Sequence, residues 1–187
     1  QLMESEANGK PYYFEILTDE MNRIELILNE LLLLAKPQAK QLKKVDLIAL
    51  LEQVCILMES QMHLHNIQVE VKCEQNVPTF IQCNENQMKQ IFINFLKNAI
   101  EAMPNGGQVI LTAKNKDEES VLLRIIDQGE GIPEDKLERI GEPFYSTKEK
   151  GTGLGLMVCR KIVEDHQGSL NITSRLNKGT TVEVLLP

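Results

Sequence analysis

Three short segments in a fixed order constrain this chain more than any other feature. They are Asn94-Phe95-Leu96-Lys97-Asn98-Ala99, then Asp127-Gln128-Gly129-Glu130-Gly131-Ile132, then Gly151-Thr152-Gly153-Leu154-Gly155-Leu156. The first lies where Met88, Ile91, Phe92, Phe95, Leu96, Ala99, Ile100 and Met103 fill one wide face, the pattern of an amphipathic helix over 84–103. Asn84, with Gln87 three residues on, is a capping-box signal for its start. Asn94 and Asn98 are four apart and stack on one face, with Glu101 continuing the stripe. Two stacked carboxamides offer neutral oxygens to a hard cation that also touches phosphate. An exposed polar stripe is equally what any amphipathic helix carries.

The second segment follows the apolar strand Val121–Ile126. A carboxylate at a strand end can accept from an exocyclic amine, and glycines let the backbone approach a flat ring. Asp-x-Gly-x-Gly is also a common turn. The third opens a helix expected from about Gly153 to Gln167, with Gly168 as its C-cap. Glycines there bare backbone N–H groups at the positive end of a helix dipole, which favours an anion. The spacing is neither the Walker loop nor the dinucleotide fingerprint.

The rest of the chain frames these segments. Phe14, Leu17, Met21, Ile24, Leu28, Leu31 and Ala35 fall at heptad spacing, as in a coiled coil or helical bundle. Leu31–Leu34 widens the stripe, which suits a four-helix bundle. Asn8-Gly9-Lys10-Pro11 reads as a turn, making Gln1–Ala7 the end of a preceding antiparallel helix. Residues 36–44 read as a polar, basic linker, so the expected division is 1–40, part of a helical hairpin, and 46–187, one domain. In that domain Asp46 caps a helix running to about His65, strands follow at 67–73, 108–115, 120–127, 169–174 and 180–186, and residues 128–152 are too long for a tight connection.

A net charge of −7 argues against nucleic acid as a partner. Cys55, Cys73, Cys83 and Cys159 have neither C-x-x-C nor zinc spacing, and read as small thiols in a reducing compartment. No run of 18 apolar residues is present, so this segment is expected to make no membrane contact.

The order Asn-x-x-x-Asn, Asp-x-Gly-x-Gly, long loop, Gly-x-Gly-x-Gly resembles the ATP-binding fold shared by gyrase, the Hsp90 chaperones, histidine kinases and MutL. Glu142-Pro143-Phe144-Tyr145-Ser146-Thr147-Lys148 resembles the phenylalanine motif in the lid of histidine kinases, and Gly179-Thr180-Thr181 with Pro187 their closing strand. With Leu34-Ala35-Lys36-Pro37, the wording is most similar to sporulation-type sensor kinases of Gram-positive bacilli. The resemblance covers roughly 46–187. It implies an α/β fold, a two-layer sandwich with a mixed sheet, helices on one face and ATP between helices and lid. A fragment of a dimerisation bundle would precede it.

The implied roles are specific. Asp127 would accept from the adenine amine, with Thr180 supporting through water, and Gly129, Gly131 and Ile132 would shape the adenine wall. Asn94 and Asn98 would hold Mg²⁺. Gly151, Thr152, Gly153, Leu154 and Gly155 would cradle phosphate. Lys97 would either reach a phosphate or be solvated. Catalytic work would fall to Lys148, folding in with the lid to neutralise the γ-phosphate, and to Asn98. Phosphoryl transfer demands mainly such positioning and charge neutralisation. In gyrase-like relatives a glutamate N-terminal to the asparagine activates water, whereas Glu101 is C-terminal to it.

The implied activity is transfer from Mg-ATP to a histidine, then to an aspartate on the receiver domain of a response regulator. The implied assembly is a homodimer through the bundle. The implied setting is a cytoplasmic segment whose parent could be membrane-anchored. The rival reading is a non-catalytic, nucleotide-gated regulatory module. An acceptor histidine would sit in a His-Glu-x-x-Asn/Thr-Pro box, and His63, His65 and His166 all lack one. The acceptor is therefore expected upstream of Gln1.

Overall fold

The computed structural model describes residues 2–35, 42–73, 79–116, 120–146, 148 and 151–187, with side chains from residue 13 onward and excepting Cys73. Among the expected lid residues, Thr147, Glu149 and Lys150 lie outside the described set. The chain divides into two compact units, Gln1–Gln38 and Ala39–Pro187.

In the first unit, α1 spans Leu2–Ala35. The expected turn at Asn8–Pro11 is absent, and with it the hairpin: the backbone there is helical. An interior glycine costs about 1 kcal/mol and a proline about 3 kcal/mol relative to alanine. A long helix on both sides can absorb that, which a local turn signal does not weigh. The heptad residues Phe14, Leu17, Met21, Ile24, Leu28 and Leu31 are all exposed.

The second unit begins with β1 (Lys43–Asp46), whose first two residues fall at the end of the expected linker. It leads into α2 (Leu47–Leu64), where Asp46 Oδ1 caps the helix by accepting from the amides of Ile48 and Ala49. Next come β2 (Ile67–Cys73), β3 (Phe80–Cys83) and α3 (Glu85–Glu101). The Asn84 side chain accepts from the Asn86 and Gln87 amides, giving α3 the cap its sequence announces. Antiparallel pairing of β1 with β3 sets Asp46, the cap of α2, opposite Phe80, and Cys83, just before the cap of α3, opposite Lys43.

The chain continues through β4 (Gly107–Asn115), β5 (Val121–Asp127), the single turn α4 (Glu134–Leu137), α5 (Gly155–Asp165), β6 (Ser169–Arg175) and β7 (Gly179–Leu186). The main sheet has the order β2-β4-β5-β7-β6, parallel between β2 and β4 and antiparallel elsewhere. Alternation is clean. Val109, Leu111 and Ala113, Val121, Leu123 and Ile125, and Val182, Val184 and Leu186 are buried. They face a helix layer whose own buried residues include Leu50, Val54, Met88, Phe92, Leu96 and Val158. Each fully buried aliphatic or Phe side chain contributes about 1.5–3 kcal/mol. On the opposite face Arg124 lies across from Glu183 in register and bonds it at 2.7 Å. The result is the expected two-layer α/β sandwich with a mixed sheet.

By composition α2 is long and apolar enough to cross a bilayer, but Leu47, Leu50, Leu51, Val54, Met58 and Met62 are packed in the core. Helix α5 starts at Gly155, two residues later than expected. Gly153 has φ +71, a left-handed conformation that no helix continues. Its end differs too, because Gln167, at φ +61, takes the left-handed position. The Gln167 amide donates to Glu164 and that of Gly168 to Val163, closing a Schellman motif.

Candidate nucleotide site

Four elements converge at one end of the sandwich: the C-terminal half of α3, the end of β5, the start of α5 and the β6–β7 turn. Asp127, the last residue of β5, is only 7 % exposed. Its Oδ1 accepts from the amide of Gly129 at 2.9 Å and from that of Thr180 at 3.1 Å. Its Oδ2 has no protein donor among the described residues. Burial pushes the Asp127 carboxyl above the usual Asp value, against the opposing pull of the two amides and of Lys148. One oxygen is thus saturated and fixes the plane of the carboxylate, leaving the other to accept an amine.

Thr180 takes part through its backbone. The β5–β7 ladder ends at Ile126↔Thr181, so the next amide turns to the Asp127 side chain. The Thr180 hydroxyl lies 2.9 Å from Ser174 Oγ. Ser174 also accepts from the Ile132 amide at 2.8 Å and donates to Gly179 at 2.9 Å, tying the Asp-x-Gly-x-Gly loop to the β6–β7 turn. Nothing in the sequence marks Ser174. It matters only because pairing sets it opposite Thr180. Gly131 has φ +67, and a Cβ there would strike the Arg175 carbonyl, so the loop can bend against β6 only with glycine.

On α3, Asn98 Nδ2 donates to Asn94 Oδ1 at 3.0 Å. A Cβ on Gly155 would collide with the Asn94 carboxamide, so that glycine lets the start of α5 press on the asparagine pair. The glycine loop and the asparagine helix are therefore in contact. Leu154 is fully buried and donates its amide to Thr152 Oγ1 at 3.3 Å. The amides of Gly155, Leu156 and Met157 have no acceptor among the described residues. Gly151 packs beside Ser146 and Lys148, and Gly153 beside the backbone of Phe144 and Tyr145.

Lys148 reaches α3. Its Nζ donates to Asn98 Oδ1 at 2.9 Å and pairs with Glu101 Oε2. Lys97 is largely exposed and lies 4.0 Å from the other Glu101 oxygen. A groove of about 630 Å³ lies elsewhere, between α2 and β2, lined by Cys55, Ile56, Glu59, Met62, His63 and Ile67 among others. None of the predicted site residues lines it.

The histidines are placed apart from this cluster. His63 is 3.6 Å from Glu59 and His65 Nδ1 is 3.0 Å from the Gln61 carbonyl, both at the end of α2. His166 is buried. Its Nε2 accepts from the Asn84 amide at 3.0 Å, so Nδ1 carries the proton and donates to the Ile162 carbonyl at 2.7 Å. This ring joins the end of α5 to the cap of α3. Buried Cys83, its thiol pushed up to about 11 by burial and Glu85, is unsuited to nucleophilic work.

A two-layer sandwich that gathers an asparagine pair, a locked aspartate and a glycine-opened helix at one end is the architecture of a nucleotide-binding ATPase domain. The family model described as "Histidine kinase-, DNA gyrase B-, and HSP90-like ATPase" matches residues 83–187, and the chain belongs to this family. Among curated proteins, it is 45% identical to Sporulation kinase E and 47% to Sporulation kinase A of Bacillus subtilis (strain 168), each over 100% of this chain. It spans 25% and 31% of those two proteins.

Among solved structures, the nucleotide-free catalytic domain of histidine kinase ThkA is 32% identical with a TM-score of 0.70, covering 79% of this chain and 95% of that one. Full-length ShkA in complex with AMPPNP is 28% identical with a TM-score of 0.82, covering 94% of this chain and 38% of that one. ThkA in complex with the response regulator TrrA is 28% identical with a TM-score of 0.78, covering 94% of this chain and 50% of that one.

Proposed function

We propose that this chain is the ATP-binding catalytic part of a sensor histidine kinase. In this reading it directs the γ-phosphoryl group of Mg-ATP to a histidine on a dimerisation helix, and from there to a response-regulator aspartate. The observation that carries the reading is the orientation of Asp127. Two backbone amides hold Oδ1, so Oδ2 is presented to an exocyclic amine, and the same cluster holds a carboxamide pair and free helix-start amides suited to phosphates. ThkA bound to TrrA and ShkA bound to AMPPNP support the partner and nucleotide classes.

Asp127 selects adenine, and Gly129, Gly131 and Ile132 form the adjoining wall. The amides of Gly153, Gly155, Leu156 and Met157 and the α5 dipole hold phosphate oxygens. Asn94 and Asn98 supply neutral oxygens to Mg²⁺, which would neutralise phosphate charge. Among the described residues no cluster of three or more His, Cys, Asp or Glu could hold a metal. A mostly phosphate-bound Mg²⁺ needs only one or two protein ligands. Lys148, already at the asparagine pair, is placed to move onto the γ-phosphate. Exposed heptad residues of α1 favour pairing in a bundle, and so a homodimer.

The test is incubation of a chain extended toward its N-terminus with γ-labelled ATP and a receiver domain. Acid-labile, base-stable label on a histidine that then passes to the receiver is the expected result. Nucleotide binding with no transfer would favour a nucleotide-gated regulatory module instead.

A further inference from the structure

Glu101 has no part in the function proposed above, yet it makes the one ion pair the described structure records between the lid segment and α3. Helical spacing sets Asn94, Asn98 and Glu101 along one stripe. Lys148 Nζ sits on that stripe, bonded to Asn98 Oδ1 and paired with Glu101 Oε2. The lysine is also aimed by its own turn. Ser146 Oγ accepts from the Lys148 amide at 3.1 Å and donates to the Lys148 carbonyl at 3.2 Å, and the same carbonyl accepts from Gly151 at 3.2 Å.

Asn98 Oδ1 is also an oxygen a phosphate-bound Mg²⁺ would use. An ammonium at 2.9 Å and a divalent ion at roughly 2.1 Å on one oxygen would be close like charges, which repel at this separation even at an exposed site. Both cannot rest there at full occupancy.

We propose that Glu101 is a positioning residue that parks Lys148 on the asparagine pair in the nucleotide-free protein, so that Mg-nucleotide must exchange its cation for the lysine ammonium. The inference rests on the nucleotide site assigned above. In this arrangement the lysine stands in for the divalent ion, keeps the lid segment ordered against α3, and is released toward the phosphates only when the metal arrives. Arrival of metal and repositioning of Lys148 become one event. Glu101 therefore works against binding by a modest amount, since the pair is partly exposed.

The experiment compares the parent chain, Glu101→Gln, Lys148→Met and the double variant. Calorimetry measures Mg-AMPPNP affinity, and hydrogen exchange follows the peptide over 142–153 without nucleotide. Glu101→Gln should bind roughly two- to five-fold tighter. Its lid peptide should exchange faster in the free state, and the gain in affinity should vanish in the Lys148→Met background. A gain that persists without Lys148 would show that Glu101 merely repels phosphate, and would overturn the proposal. So would unchanged or weaker binding by Glu101→Gln, or unchanged free-state exchange. A parent chain that bound no nucleotide would sink the site assignment itself, whereas the free-state exchange result judges the lysine contact on its own.

Discussion

Asp127 is held by one oxygen and offers the other, and that division makes a sharp prediction. In Asp127→Asn the carboxamide oxygen must stay toward the amides of Gly129 and Thr180, since an NH₂ there would face two donors. The NH₂ then points where an adenine amine would donate. Losing a charged hydrogen bond costs roughly 1.5–3 kcal/mol, so affinity should fall tenfold or more with the circular dichroism spectrum unchanged. Near-parent affinity would contradict the role. Burial raises the carboxyl, and the sign of the pH effect follows. Folding favours the protonated form, so this group's stabilisation is present at low pH and lost as pH rises through the raised value. Adenine binding requires the ionised form. The affinity gap between parent and Asp127→Asn should therefore narrow on acidification at a pH above the ordinary Asp value of 3.8. A gap constant down to that value would show that Asp127 is not the acceptor. His166→Ala makes a separate case. It strands the part-buried Asn84 amide at the start of α3, and should destabilise the fold by about 1–3 kcal/mol in urea unfolding. A cost under about 0.5 kcal/mol would mean that the ring is a bystander.

At the level of elements, helices and long strands were legible because each carries its own period. The stripe of α3 and the alternation of β5 need no partner to be recognised. The strands β1 and β3 were not, since each has four residues and gains its order from a partner far along the chain. The α1 turn was misread because Gly9 and Pro11 are local signals set against a helix extending on both sides. At the site, sequence order gave Asn94, Asn98, Asp127 and the glycines as candidates. Ser174, the Lys148 contact of Glu101 and the Asn84 contact of His166 were hidden because each acts only through a residue that folding brings near. The lid segment has a physical expectation of its own. Its single helical turn, α4, buries no residue, and Phe144, at φ +63, is exposed. Amides of 133–146 should exchange faster than those of β4 and β5 in the free protein, and slow further with an ATP analogue. Protection equal to that of β4 and β5 without nucleotide would contradict a lid.

At the scale of the whole molecule, the chain as sequenced should bind ATP without labelling itself. His63 and His65 end a helix of the nucleotide domain, and His166 has both ring nitrogens engaged. None can meet a γ-phosphate in line without unfolding its own support, and in-line geometry is most of what the transfer requires. Acid-labile label lost in His63→Gln or His65→Gln would show otherwise. The central claim is that α3, the end of β5 and the start of α5 form one ATP site. Backbone and side-chain amide NMR during titration with Mg-AMPPNP tests it most directly. Saturable shifts should appear together at Asn94, Asn98, Gly129, Gly153, Gly155 and Thr180, with the α2–β2 groove silent. Shifts confined to that groove, or no saturable shifts at all, would contradict it.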